Sequence, residues 1–278
     1  MVAVDTLDQI LKPWWSGEGQ LTILTGAGIS AASGIPTFRG PEGYWQQGST
    51  VYQPQQLATA EMFFHDPLTV WSWYLYRHAL CQSAQANPAH HLIHALEQHA
   101  PERFTLITQN VDGLHLRAGN SHDNTLQIHG QIDRRRCAQS CCQTLFTIPD
   151  KLQRWAQHQQ LDRDTLQQYL QCPQCGGLSR PHILWIDECY DEVFYRMNSA
   201  LRRTEQADIL LIIGTTGATT LPQLLVEQAL RRGTRLVEIN PESSSFTGAI
   251  EASGGDYLQA SAVDGLAPLQ SLCNNPRP

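Results

Sequence analysis

The chain has 278 residues, 41% hydrophobic and 16% charged, which is enough apolar material for a core and too little charge for a disordered chain. Nineteen Lys and Arg against 26 Asp and Glu leave a formal charge of −7, so the molecule does not attract phosphate backbones and a general nucleic-acid coat is excluded. No apolar run approaches the ~20 residues that span a bilayer, and the stretch from Met1 to Pro13 carries Asp5 and Asp8 with no basic segment before an apolar one; a cytoplasmic protein without membrane contact is the expectation.

In chain order, the first strand is Leu21–Thr25, which runs into the turn Gly26-Ala27-Gly28. Residues 41–99 show helical periodicity, many Gln and Trp, and no sheet strand, so they read as a helical insertion ending in the helix Ala89–His99. Strands follow at Phe104–Thr108, Thr125–His129, Ile209–Ile213, Arg235–Ile239 and near Tyr257, with helices at Glu192–Thr204 and Leu221–Arg232. Strands alternating with helices predict an α/β fold, a Rossmann-like doubly wound parallel sheet covered on both faces. Residues 137–180 hold two Cys clusters around a Gln-rich stretch and read as a small metal-binding module. The expected organisation is one domain over 1–278, with a large Rossmann-like part from 18–136 and 181–273.

The glycine-rich turn from Gly26 to Gly34 follows a strand, where backbone N–H groups can approach a pyrophosphate. Its spacing is GxGxxxxxG, and around 46–50 there is neither the strand end nor the acidic residue that the dehydrogenase fingerprint requires. Nucleotide binding and a plain tight turn both fit it, while ordinary hydride transfer loses ground. Gln109, Asn110, Val111 and Asp112 follow one strand and His129-Gly130 another, at the sheet edge where open α/β folds bind ligands. There Asn110 and Asp112 suit a carboxamide and a ribose hydroxyl, and His129 suits a general base.

The segments GAGISAASGIPTFRG, TQNVDGLH, IHG, the paired Cys clusters, CGG before RPHILWIDE, GTT and EINPE stand in the order seen in sirtuins, the NAD-dependent protein lysine deacylases, and the chain resembles that family over about residues 18–270. The resemblance implies attack of the acyl oxygen on C1′ of the nicotinamide ribose, His129 activating a ribose hydroxyl, and release of lysine, nicotinamide and O-acyl-ADP-ribose. It implies that Gly26, Ala27, Gly28, Ile29, Ser30, Gly34, Ile35, Thr37, Phe38, Arg39, Tyr44 and Trp45 wrap NAD, and that Gln109 to Asp112 meet its ribose and nicotinamide. Gly214, Thr215 and Thr216, then Asn240, Pro241 and Glu242, resemble the adenosine loops, and Ala262 the contact to adenine.

Cys172-Pro173-Gln174-Cys175 is a CxxC knuckle, and Cys137 with Cys141 or Cys142 supplies a second pair, which together fit one closed structural zinc site. Cys141 is preferred because it departs from the family's CxxC by one residue only. Tyr74 and Arg77 lie at i and i+3 of a helix and share a face; a solvated arginine beside a packing tyrosine fits that spacing, and so does a clamp for a carboxylate. The resemblance favours the clamp, since sirtuins that remove succinyl, malonyl or glutaryl groups carry Tyr-x-x-Arg here, a small residue like Ala58 in the acyl tunnel, and a residue like Thr37 where many deacetylases have Asp. The expected activity is desuccinylation and demalonylation, with weaker deacetylation, on acyl-lysine proteins or peptides. Trp185 and Ile186 belong to the peptide-binding segment, in which Asp187 replaces the family's Gly and is expected to narrow or recharge the groove. Competing readings remain: an NAD-dependent deacetylase without acidic-acyl preference, an ADP-ribosyltransferase on the same scaffold, and a binding module without catalysis; oligomeric state is left open.

Overall fold

Runs of five buried residues, Leu21–Thr25 (β1), Phe104–Thr108 (β2) and Ile209–Ile213 (β7), leave no solvent face, as expected for strands covered by helices on both sides. With β3 (Thr125–Gln127), β8 (Arg235–Asn240) and β9 (Asp256–Gln259) they form a six-stranded sheet in the order β3-β2-β1-β7-β8-β9, every ladder parallel. The computed structural model describes residues 5–36, 54–156 and 159–270.

Alternation along the strands divides the core. Ile23, Leu106, Leu211 and Val237 face helices α1 (Asp5–Trp15), α5 (Pro88–His99) and α12 (Ala262–Leu266), while Leu24, Ile107, Leu210 and Leu236 face α9 (Met197–Glu205), α10 (Thr220–Arg232) and α11 (Thr247–Ala252). The chain leaves β1 for β2 on one side and reaches β7 on the other, so the strand order reverses at β1. Ligands of open α/β sheets sit at the carboxyl ends of strands at such a reversal. Helix α6 (Leu114–Ala118) follows β2 directly.

A second sheet, β5-β4-β6, is antiparallel and is built from β4 (Gly130–Cys137), β5 (Phe146–Thr147) and β6 (Ser179–Ile183). It shares an apolar core with α2 (Pro54–Leu57), α3 (Ala60–His65) and α4 (Pro67–Ser83). Trp71 Nε1 donates to Ser179 O at 2.9 Å and Leu161 N donates to Ser72 Oγ at 2.8 Å, which ties α4 to this module. Helix α7 (Arg163–Tyr169) completes it.

Three boundaries differ from the sequence expectation. The helical stretch over 41–99 divides: α2–α4 belong with the small sheet, but Ala89, Ile93 and Leu96 of α5 pack with Ile23 and Phe104 against the large one. The small sheet also takes in residues 130–136 and 181–183, outside the 137–180 segment. The helix expected over Glu192–Thr204 breaks at Arg196, whose φ of 55° ends α8 (Glu192–Tyr195) before α9 begins; amphipathic periodicity continues through such a break and does not reveal it. Among the described residues no helix is long and apolar enough to cross a membrane.

Candidate active site

At the strand-order reversal, the two glycine turns pack directly on each other. Gly26 N donates to Ile213 O at 2.9 Å and Gly28 N to Gly214 O at 2.8 Å. A Cβ on Gly28 would stand 2.7 Å from Gly214 Cα, so the turn is glycine-rich first because two backbones meet there. Ala27–Ser33 then winds as a 3₁₀ helix with buried Ile29 and Ser30, closed by Gly34 at φ 78°, and Ile35 packs partly buried against the small-sheet core. Thr37, Phe38, Arg39, Tyr44 and Trp45 lie outside the described residues.

The loop after β2 is held by a buried polar network. Ser30 Oγ donates to Asp112 Oδ2 at 2.7 Å and accepts from Asn110 Nδ2 at 3.0 Å; the other Asp112 oxygen accepts Leu114 N at 2.8 Å. Burial raises the Asp112 carboxyl above the ordinary range, opposed by the Leu114 and Ser30 hydrogen bonds and by Arg117. Gln109 Nε2 donates to Thr215 Oγ1 at 2.9 Å, and Asn240 Nδ2 to Thr215 O at 2.9 Å. The structure therefore brings Ser30, Gln109, Asn110, Asp112, Thr215 and Asn240 to the carboxyl ends of β1, β2, β7 and β8. Thr216, Pro241 and Glu242 are exposed at the same edge, and Ala262 is buried at the start of α12. Sequence reasoning missed His90 and His115, which back this network. His90 Nε2 lies 3.4 Å from Ser30 Oγ and His115 Nε2 3.1 Å from Thr25 Oγ1.

His129 follows β3 and precedes Gly130, whose φ of 94° and a would-be Cβ 2.1 Å from His182 O admit glycine alone. That turn places the half-buried imidazole, whose Nε2 is 2.8 Å from the Tyr190 hydroxyl. Burial pushes its pKa down to about 4, against a smaller raising effect from a hydrogen bond to the Gln109 backbone; it is neutral near pH 7. Tyr190 carried no motif signal in the sequence.

A second buried group adjoins the loop after β2. Ala58, Tyr74 and Trp185 share one apolar cluster with Val111 and Ile132. Trp185 Nε1 donates to the Tyr74 oxygen at 2.9 Å. Burial first, against the lowering effect of Arg77, raises the Tyr74 phenol to about 12, so it keeps its proton. Arg77 is 4% exposed, its Cζ 4.7 Å from the Trp73 ring centroid and 5.5 Å from that of Tyr74. Ile186, on the segment after β6, is 62% exposed. The two oxygens of the exposed Asp187 side chain accept Ala60 N at 2.8 Å and Glu61 N at 3.1 Å, in the first turn of α3, where the helix dipole favours a carboxylate.

The sulfurs of Cys137, Cys141, Cys172 and Cys175 lie within 4.8 Å of one another, with Cys137 to Cys175 at 3.7 Å and Cys141 to Cys172 at 3.6 Å. Ligands about 2.3 Å from a tetrahedral zinc stand ~3.8 Å apart, so the donor set fits that ion. Cys141 is inside this group and Cys142 outside it.

Two fully buried histidines set an acid limit on stability. Desolvation lowers His90 to about 4 and His182 to about 3. The unfolded chain binds these protons below pH ~6.5, whereas the folded chain resists them down to about pH 4 and 3. Stability is therefore full above pH ~6.5 and falls as pH drops below it, by roughly 1 kcal/mol per pH unit per histidine. For His90 the local cost is clear, because protonated Nδ1 can no longer accept the Asn87 N–H that caps α5. Urea denaturation between pH 7 and 4.5 checks this; a flat profile contradicts it.

A sequence model of the Sir2 family matches residues 26–220. The chain is 36% identical over 258 residues to an NAD-dependent protein deacylase of Leptospira interrogans, covering 92% of this chain and 94% of the relative. It is 38% identical over 225 residues to NAD-dependent protein deacylase 2 of Pyrobaculum aerophilum, covering 81% of each. Among solved structures, a Sir2 homologue in complex with NAD superposes with a TM-score of 0.77 at 32% identity, covering 98% of this chain and 96% of the other. A Sir2 homologue mutant in complex with 2′-O-acetyl ADP-ribose gives a TM-score of 0.76 at 32% identity, covering 97% and 96%.

Proposed function

The chain belongs to the Sir2 family, and from that premise we propose that this NAD-dependent protein deacylase prefers acyl-lysines whose acyl group ends in a carboxylate, succinyl and malonyl first, with weaker deacetylation. The residues at the strand-order reversal fit NAD: Gly26, Gly28 and Gly214 leave no room for a Cβ and keep the turns thin, and Ser30, Asn110 and Asp112 present a fixed polar set beside them. Bound NAD supplies an electrophilic C1′ and nicotinamide as leaving group. Asn110 and Asp112 orient the reacting ribose, and neutral His129 takes the proton of a ribose hydroxyl onto Nε2. Val111 joins the loop that carries them to the apolar cluster of Ala58, Tyr74 and Trp185, which excludes water from the acyl group. A cytoplasmic location goes with this reading, supported by a four-thiolate zinc site, which suits a reducing compartment.

The observation that carries the acyl preference is Arg77. It is a guanidinium almost wholly buried on the inward face of α4, beside a phenol that keeps its proton, in the cluster that Val111 reaches from the ribose loop. A molecule of net charge −7 repels an anionic acyl group at long range, so the attraction must be local. Replacing Arg77 by Met keeps the volume and removes the charge. A lost charged hydrogen bond costs about 2–3 kcal/mol, so kcat/KM for succinyl-lysine peptide should fall roughly 30- to 150-fold while that for the matched acetyl-lysine peptide changes little. An unchanged ranking of the two substrates refutes the clamp.

A further inference from the structure

Tyr190 sits in the segment after β6, its ring 5.8 Å from the His129 ring and its oxygen 2.8 Å from Nε2. Thr219, just ahead of α10, adjoins the phenol, and its Oγ1 donates to Gln109 Oε1 at 3.1 Å. Tyr190, Thr219 and Gln109 thus stand together around His129.

The base role fixes the direction of the Tyr190 contact. A neutral imidazole has one N–H and one lone pair, and a base that receives a proton on Nε2 carries the lone pair there. The phenol 2.8 Å from Nε2 is then the donor of that hydrogen bond.

We propose that Tyr190 is a positioning residue for the base: hydrogen-bonded to Nε2, it holds His129 in the tautomer whose Nε2 accepts a proton, and gives up that place to the substrate hydroxyl. The proposal rests on His129 being the base. Tyr190 forms no bond to substrate, and the phenol is not itself the base, because its oxygen keeps its proton up to about pH 12. Without the phenol, an imidazole divides between its two neutral tautomers, and the fraction able to act falls.

The test is Tyr190→Phe, which preserves the ring and removes only the hydroxyl. Expected are a kcat lowered about 3- to 10-fold, the ratio that one neutral hydrogen bond commands, and a KM for NAD within about twofold. In ¹⁵N NMR of histidine-labelled protein, assigned by loss of the signals in His129→Ala, free wild-type protein should show an unprotonated Nε2 and a protonated Nδ1. In Tyr190→Phe the two ¹⁵N shifts should move toward each other. A wild-type His129 protonated on Nε2, or a variant with unchanged kcat and unchanged shifts, overturns the proposal. The NMR result needs no turnover, so it stands apart from the failure of the base reading, which retained activity in His129→Ala would signal.

Discussion

His129→Ala should lower kcat on the order of 10³-fold, within the span that a positioned general base contributes, while NAD still binds within about twofold of wild type. Both halves follow from position. The imidazole stands after β3 on a turn that only Gly130 permits, and its Nε2 meets a hydroxyl in the free protein. The groups assigned to NAD hang from other elements: Ser30 from the 3₁₀ segment, Asn110 and Asp112 from the loop after β2, Thr215 and Asn240 from the ends of β7 and β8. Removing the ring takes away a proton acceptor without disturbing that network. Single-turnover kinetics and calorimetric NAD titration read the two halves separately. Turnover retained in the variant removes the base assignment and favours chemistry that needs no activated ribose hydroxyl, as in ADP-ribosyl transfer.

Loss of the metal should be as large an effect on stability. Cys172→Ala removes one of four thiolates from a site whose apparent binding energy, on the order of 10 kcal/mol for structural zinc, rivals the whole stability of a domain. The consequence reaches the active site, because Cys137 ends β4, the strand that begins at Gly130 beside His129 and pairs with β6 ahead of Trp185. Metal analysis should find about one zinc per wild-type chain and none in Cys172→Ala, which should also lose its cooperative thermal transition in the small module and its activity. Cys142→Ala is the control and should keep both metal and activity. A metal-free wild-type protein that is folded and active contradicts the zinc site.

The parallel sheet was readable in the sequence because strands buried on both faces leave uninterrupted apolar runs such as Leu21–Thr25 and Ile209–Ile213, and the turns after them carry unusual residues for steric reasons. The cysteine set was readable from spacing, although spacing alone could not separate Cys141 from Cys142; only convergence of the sulfurs does. Other features depend on partners distant in sequence, which no local pattern carries. Helix α5 looked like part of the insertion because its apolar face has the same period whichever core it joins. The backbone partners of Asp187 lie in the first turn of α3, more than a hundred residues earlier. Tyr190 was invisible because its contact with His129 spans 61 residues, and Trp185 gave no sign of the Tyr74 bond that crosses 111.

The most direct test of the acyl-group reading is a competition in one vessel. Wild-type protein, NAD and equal amounts of succinyl- and acetyl-lysine forms of one peptide would be followed by mass spectrometry together with released nicotinamide. The structure of the Arg77 site leads to faster loss of the succinyl form, with one nicotinamide and one O-succinyl-ADP-ribose formed for each lysine freed. Preferential loss of the acetyl form, or nicotinamide release without free lysine, contradicts it.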